Sequence, residues 1–381
     1  MALRLISGDN HIDLTYCPRE LWASAAPHKW KLLVPQVEEM DDGLHWFVEG
    51  RDVGLWNGLG PTFNRYTRGY SKRRDAMVDA GFSWDNGPQA IARPVTPELR
   101  LQDLDRDGQY AEVVYGCLMI NDLIADPQRR AWACGIYNDW AADFARRSDP
   151  KRIFPLAMLP NTDPTLAANE VRRCAALGLR GGDLAVRGAA APLYHPTAWD
   201  PLWAAAAECR FPISFHSTGF RGLQGPGPQD DPRMPQWRYV FNTLFQLDGM
   251  MVLTSLIASG ACERFPELKF VLGEAGVTWI PYILDRMDVE YEDKFKEFGF
   301  SLKPSDYFRR QGYTTYQQDA GLELFLPAIG EDNVIWGCDY PHADCLWPES
   351  RQKVESSLAG LSERARRKIA GENAAALYGI V

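Results

Sequence analysis

Short apolar runs recur along the chain and alternate with longer stretches of helical period. The runs lie at 5–7, 111–117, 153–159, 179–186, 211–215, 269–273, 313–316 and 333–337. Each is apolar nearly throughout and only a few residues long, as suits a strand buried on both faces. Apolar residues at helical spacing fill 127–147, 164–177, 198–209, 244–259, 279–298, 322–328 and 350–359. Strands alternating with helices predict parallel βαβ units, and eight of them predict a (β/α)8 TIM barrel occupying 1–381 as one α/β domain. There is no sequence repeat at periods of twenty to fifty residues and no interdomain linker.

Two segments interrupt the alternation. Residues 17–109 follow the first strand, are rich in Trp, Tyr, Gly and Pro, and show no long helical period. A structureless loop of that length is improbable, so the segment is expected to be an irregular, lid-like subdomain over the barrel mouth. Residues 217–237, dense in Gly and Pro, follow the fifth strand and are expected at the same face.

Composition narrows the partners. The chain has 381 residues, 46% hydrophobic and 24% charged, with net charge −9. That composition is globular, and the acidic balance argues against nucleic acid or an anionic membrane as partner. No eighteen consecutive apolar residues occur, so no membrane span is expected, and the N-terminus lacks the pattern of a signal peptide. Eight cysteines without a CxxC pair read as reduced, mostly buried thiols of a cytoplasmic protein.

Candidate chemistry gathers at strand ends. Of six histidines, His11, His216 and His342 fall at or just past the ends of predicted strands, the catalytic rim of a barrel. Asp9, His11 and Asp13 are two apart, so in extended chain they share a side. His216 ends the fifth apolar run and Asp339 the eighth. Strands one, five and eight of one barrel converge, and His with carboxylate is the donor set of zinc, manganese or iron. His28, His45 and His195 lie in loop-like sequence and are expected exposed; His45 with Trp46, Trp56, Phe63 and Tyr66 could line a pocket. Asp183 is an odd carboxylate within the fourth run, expected to be a structural hydrogen-bond acceptor.

Several stretches, in order along the chain, resemble one family. They are Leu101-Gln-Asp-Leu-Asp-Arg-Asp-Gly108, Asn138-Asp-Trp140, Phe265-Pro-Glu-Leu-Lys-Phe270, Trp279-Ile-Pro281 with Asp285-Arg-Met287, and Asp339-Tyr-Pro-His342. The pattern is similar to the amidohydrolase-related family that includes aminocarboxymuconate semialdehyde decarboxylase and γ-resorcylate decarboxylase. The resemblance implies Asp9, His11, His216 and Asp339 as ligands of one divalent metal, with zinc first and manganese or iron as alternatives.

The chain departs from those decarboxylases at Glu274, where they carry a catalytic His. Glu274 is expected to act as a base on metal-bound water or to bind a second metal with His216; pairing with Arg286 or Arg180 is the structural alternative. Asp339 and His342 complete the catalytic candidates, and Arg180 and Arg221 are the candidates for holding substrate.

Three functions follow. The first is metal-dependent hydrolase or lyase chemistry, C–N or C–C cleavage including decarboxylation, on a small organic acid or amide. The second is oxygen activation at a dinuclear iron or manganese centre that uses Glu274, Asp13 and Asp183. The third is a non-catalytic partner subunit. The resemblance also implies a homodimer, with a hetero-oligomer containing a related chain left open.

Overall fold

A computed structural model describes residues 3–60, 64–69, 71–117, 120–217 and 231–381. Twelve strands run along it: β1 (Leu5–His11), β2 (Gln36–Met40), β3 (Gly43–Val48), β4 (Arg51–Leu55), β5 (Gln109–Tyr115), β6 (Ile153–Pro155), β7 (Ala157–Met158), β8 (Gly182–Asp183), β9 (Ile213–His216), β10 (Phe270–Gly273), β11 (Gly312–Tyr316) and β12 (Val334–Trp336). Nine of these pair in parallel, in two arcs ordered β1-β5-β6 and β12-β11-β10-β9-β8-β7. The strands therefore form two hydrogen-bonded sheets rather than one closed ladder.

The chain joins the arcs at both seams. At one, Leu156 N–H donates to Val114 O at 2.8 Å and Ala157 N–H to Gly181 O at 2.9 Å, so β6 and β7 are one run that changes neighbour midway. At the other, Asp339 N–H donates to Asp9 O and His11 N–H to Tyr340 O, both at 2.7 Å. Counting β6–β7 once gives eight parallel positions, with helices such as Pro127–Arg147, Pro164–Leu177 and Asp200–Cys209 between them.

Why these strands hold is visible in their burial. β1, β9, β10 and β12 are buried at every residue, as two-faced burial requires. Ile6, Val113, Tyr115, Val271 and Ile335 pack together with Ala374, Tyr378 and Ile380 from the C-terminus, so the last helix, Asn373–Tyr378, packs against the inner faces of the strands. A second, larger cluster lies between strands and helices.

Between β1 and β5 the chain builds an antiparallel sheet, β2-β3-β4, and the helices Lys72–Asp79 and Pro97–Asp107. In β3, Leu44, Trp46 and Val48 alternate inward. Trp22, Trp46 and Trp56 bury with Ile12, Tyr137 and Cys134, and Trp22 Nε1 donates to Ala133 O at 2.9 Å. Trp46 and Trp56 are thus core residues, not the pocket wall weighed above, because this segment needs its own apolar core. Tyr66 stacks on Trp84 at 5.4 Å, and Phe63 lies outside the described residues. His45, expected exposed, is half-buried between Asp42 and Asp52, while His28 and His195 are exposed.

The segment after β9 differs from its irregular reading. Residues 218–230 lie outside the described residues, and a helix, Met234–Leu244, begins before 237. The helical run Met234–Ala258 is long and apolar enough, by length and composition alone, to cross a membrane. Gln236, Asn242, Gln246 and Asp248 interrupt it, which is why no unbroken apolar stretch marks it in the sequence. All eight cysteines are free thiols, seven of them buried.

Candidate metal centre

Parallel strands deliver their last side chains to one rim. β1 brings Asp9 and His11, β9 brings His216, and the turns after β10 and β12 bring Glu274 and Asp339. Register places His216 beside Gly273, so Glu274 follows directly at its neighbour's end. Glu274 and Asp339 both take positive φ, 47° and 68°, a conformation that costs a side-chain-bearing residue about 1–2 kcal/mol and recurs at functional sites. Gly337 lies where an added Cβ would come within 2.5 Å of Asp9 Cβ, so only glycine lets β12 close on β1.

The donor atoms converge. His11 Nε2 lies 3.3 Å from Asp9 Oδ1 and 3.0 Å from Asp339 Oδ1. His216 Nε2 lies 3.5 Å from Asp9 Oδ1 and 3.5 Å from Glu274 Oε2. A cation bonded at about 2.1 Å to tetrahedral ligands sets them about 3.4 Å apart. Asp9 Oδ1, His11 Nε2, His216 Nε2 and Asp339 Oδ2 are buried without a hydrogen-bond partner. Such atoms are costly to bury unless something else satisfies them. The residues therefore fit a divalent cation.

Supporting bonds aim each ligand. His216 Nδ1 meets Ser217 O at 2.7 Å, which puts the proton there and leaves Nε2 free to bind. Asp9 Oδ2 accepts from Thr315 Oγ1 at 2.7 Å and from Glu274 N–H at 2.8 Å, so Oδ1 faces inward. Thr315 was not foreseen, since nothing local in the sequence links it to a residue about three hundred positions earlier. His342 spans Asp13 Oδ2, at 2.7 Å from Nε2, and Asp339 Oδ1, at 2.8 Å from Nδ1. With both nitrogens facing carboxylates it is a bridge rather than a ligand.

Charge in the site follows from this crowding. Burial raises the carboxyl of Asp9, but His11 and His216 outweigh it and hold it far below the usual range. Asp339 is likewise low, with burial opposed by His342 and His11. Burial lowers His216, yet Asp9, Glu274 and Asp183 carry it to about 10. His342 is opposed by burial and still raised well above its ordinary value by Asp339 and Asp13. Glu274 is pushed well up, first by burial and then by Asp339. Asp183 rises to about 6 through burial and accepts a bond from the His216 N–H at 3.2 Å.

The two arginines expected to hold substrate do not meet here. Arg180 precedes β8, at the opposite end of the strands; it bonds Tyr378 O and Gly379 O and lies over Phe154. Residues before a strand emerge at the rim away from the ligands, which corrects its assignment. Arg221 lies outside the described residues. Arg286 pairs with Glu290, so neither arginine is the partner of Glu274. A cavity of about 50 Å3 opens beside the ligands, lined by Asp9, Gln246, Glu274, Thr315, Gln317, Asp339 and Asp344 among others. Asp344 was missed, although it stands five residues after Asp339 in the same turn.

An amidohydrolase family model matches residues 93–380. The decarboxylase orsB of Emericella nidulans is 29% identical over 61% of this chain, and the match spans 65% of that protein's length. The gamma-resorcylate decarboxylase of a Polaromonas species is 27% identical over 81% of this chain and 96% of its own. An amidohydrolase structure from Mycobacterium avium subsp. paratuberculosis superposes with TM-score 0.79 at 20% identity, covering 100% of this chain and 99% of that one. A dihydroxybenzoic acid decarboxylase structure from Polaromonas, solved with bound manganese and 2-nitroresorcinol, gives TM-score 0.64 at 21% identity, covering 100% and 98%.

Proposed function

The chain belongs to the amidohydrolase family and is an enzyme of that superfamily, and from this premise we propose that it is a divalent-metal-dependent lyase that decarboxylates a small aromatic acid. The observation that carries the reading is the convergence of unpartnered buried donors from Asp9, His11, His216 and Asp339. That the reported relatives are decarboxylases favours C–C cleavage over C–N hydrolysis and over oxygen activation. Retention of all four donors argues for catalysis rather than a partner role. We read the two parallel arcs as one (β/α)8 barrel, with 17–109 as its lid.

Two imidazoles and two carboxylates accept zinc or manganese. When bound, the cation supplies Lewis acidity toward the substrate's oxygens. The chain's own residues handle the proton. The ring–carboxylate bond breaks, its electron pair stays on the ring carbon, carbon dioxide leaves, and a proton takes its place. The proton starts on His342, which Asp339 and Asp13 keep protonated, and passes across the 2.8 Å contact to Asp339, which faces the cavity and hands it to the carbon. Solvent then reprotonates His342. Thr315 and the Glu274 N–H fix Asp9 so that it keeps facing the cation.

The test is a panel of hydroxybenzoates incubated with metal-loaded protein in deuterated water. Carbon dioxide release with one deuterium at the vacated ring carbon is expected; no release from any member would overturn the reading. In the same assay His342→Gln should lower kcat about 100-fold with metal content unchanged, the scale of a lost proton carrier. Gly60, in the inserted segment, has φ +52° and lies where a Cβ would come 3.0 Å from His342 Cδ2. Gly60→Ala should therefore displace His342 and cost about tenfold in kcat, again with metal retained. Wild-type turnover there would remove the inserted segment from the site.

A further inference from the structure

Two thiols stand where the inserted segment leaves the barrel and where it returns. Cys17 follows the short turn Leu14–Tyr16 after β1, and Cys117 follows β5. β1 and β5 are parallel neighbours, with His11 opposite Tyr115, and Ile12 N–H donates to Tyr115 O at 2.9 Å. That pairing carries the turn after β1 across the end of β5. The two sulfurs meet at 3.2 Å although 100 residues of chain lie between them. Both side chains are fully buried, in one cluster with Trp22, Trp56 and Tyr137. Everything between them, the inserted segment included, forms one loop that this contact closes.

The same thiols touch the backbone that carries Asp13. Cys17 Sγ donates to Asp13 O at 3.5 Å and Cys117 Sγ to Ile12 O at 3.8 Å. The Asp13 carboxylate holds His342 at 2.7 Å. A disulfide bond is about 2.05 Å long, so forming one here draws the sulfurs about 1.2 Å closer. The carbonyls of Ile12 and Asp13 lose their donors in that step, and the turn that aims the Asp13 carboxylate moves with Cys17.

We propose that Cys17 and Cys117 are a dithiol that a peroxide oxidises to a disulfide, closing the base of the inserted segment and lowering turnover by shifting Asp13 away from His342. The effect on turnover rests on the proton route given above; the bond itself does not. One thiol reduces the peroxide, taking one oxygen as a sulfenic acid and releasing a water. The other sulfur attacks the first, its S–O bond breaks, and a second water leaves. Two thiols thus lose their two hydrogens and one hydrogen peroxide becomes two waters. Burial raises the Cys117 thiol well above its ordinary value and Cys17 raises it further, so little thiolate exists while the segment lies closed. Oxidation is therefore slow and proceeds as the turn at Leu14–Tyr16 opens.

The full chain, carrying Cys209→Ser to remove the half-buried thiol, is treated with hydrogen peroxide, quenched by alkylation and mapped by mass spectrometry without reductant. A peptide pair joined through Cys17 and Cys117 and lighter by two hydrogens is expected. As that pair accumulates, kcat should fall about tenfold, the scale of a misplaced proton relay, and dithiothreitol should restore it. Cys17→Ser keeps a donor toward Asp13 O and should show neither response. Alkylated Cys17 and Cys117 with no joined pair would overturn the site. A joined pair with unchanged kcat would overturn its hold on turnover. His342→Gln at the wild-type rate would unseat the proton route itself, and the mass map would still decide the bond.

Discussion

His216→Ala is expected to cost about a thousandfold in kcat/KM and to empty the metal position, while the chain stays folded. A cation's Lewis acidity accounts for several kcal/mol of a barrier, and about 4 kcal/mol corresponds to that factor. His216 is the ligand whose loss is easiest to interpret. Its Nδ1 meets only the adjacent Ser217 O, and its Nε2 faces the donor atoms of Asp9 and Glu274, so truncation acts on the metal position itself. Asp9 is a poorer choice, because its other oxygen also receives Thr315 and the Glu274 N–H, and its loss would disturb β10 and β11 as well. Elemental analysis and steady-state kinetics on the same preparation check the result. Full metal content with near-normal turnover would show that the cation sits elsewhere. Full metal content with lost turnover would move His216 from ligand to reacting group.

What made this centre legible was position, not any motif alone. Asp9, His11, His216 and Asp339 stand where apolar runs end, and in parallel strands those ends meet. Arg180 was named for substrate without that logic: it stands inside the fourth run, 179–186, but ahead of the paired residues, so it emerges at the opposite rim beside Gly379. The fourth run was read as eight residues and pairs over only two, Gly182–Asp183, which hid which end was which. Thr315 and Asp344 were invisible for another reason: their partners come from distant strands or from one turn's shape, and neither leaves a periodic trace. β2, β3 and β4 were all missed: exposed, charged strands such as Gln36–Met40 lack alternation, and β3, although Leu44, Trp46 and Val48 alternate inward, was read with its neighbours as irregular chain.

The largest loss of stability is expected from Arg100→Met. Arg100 and Glu112 are fully buried and paired twice, Nε to Oε1 at 2.5 Å and Nη2 to Oε2 at 2.8 Å. Arg100 Nη1 also donates to His11 O and to Pro94 O, both at 3.0 Å. Glu112 in turn accepts from Asn10 Nδ2 at 2.5 Å, and Asn10 Oδ1 accepts the Tyr340 N–H at 3.1 Å. One guanidinium thus ties the helix Pro97–Asp107 to β5, to the ligand-bearing end of β1, and through Asn10 to the turn after β12.

Removing it leaves a buried carboxylate with no counter-charge, at a cost of about 3–5 kcal/mol. In a chain of this size that is a fall in Tm of roughly 4–6 °C. The double variant Arg100→Met with Glu112→Leu removes the orphaned charge and should recover part of the loss; scanning calorimetry on the set reads the difference. Because the His11 carbonyl loses its donor in both variants, metal affinity should stay weakened by about tenfold in the double variant even where stability returns. That separation is the informative part. Stability and affinity recovering together would mean the pair serves packing alone, whereas affinity lagging behind would mean the buried ion pair holds β1 at the angle its ligands need.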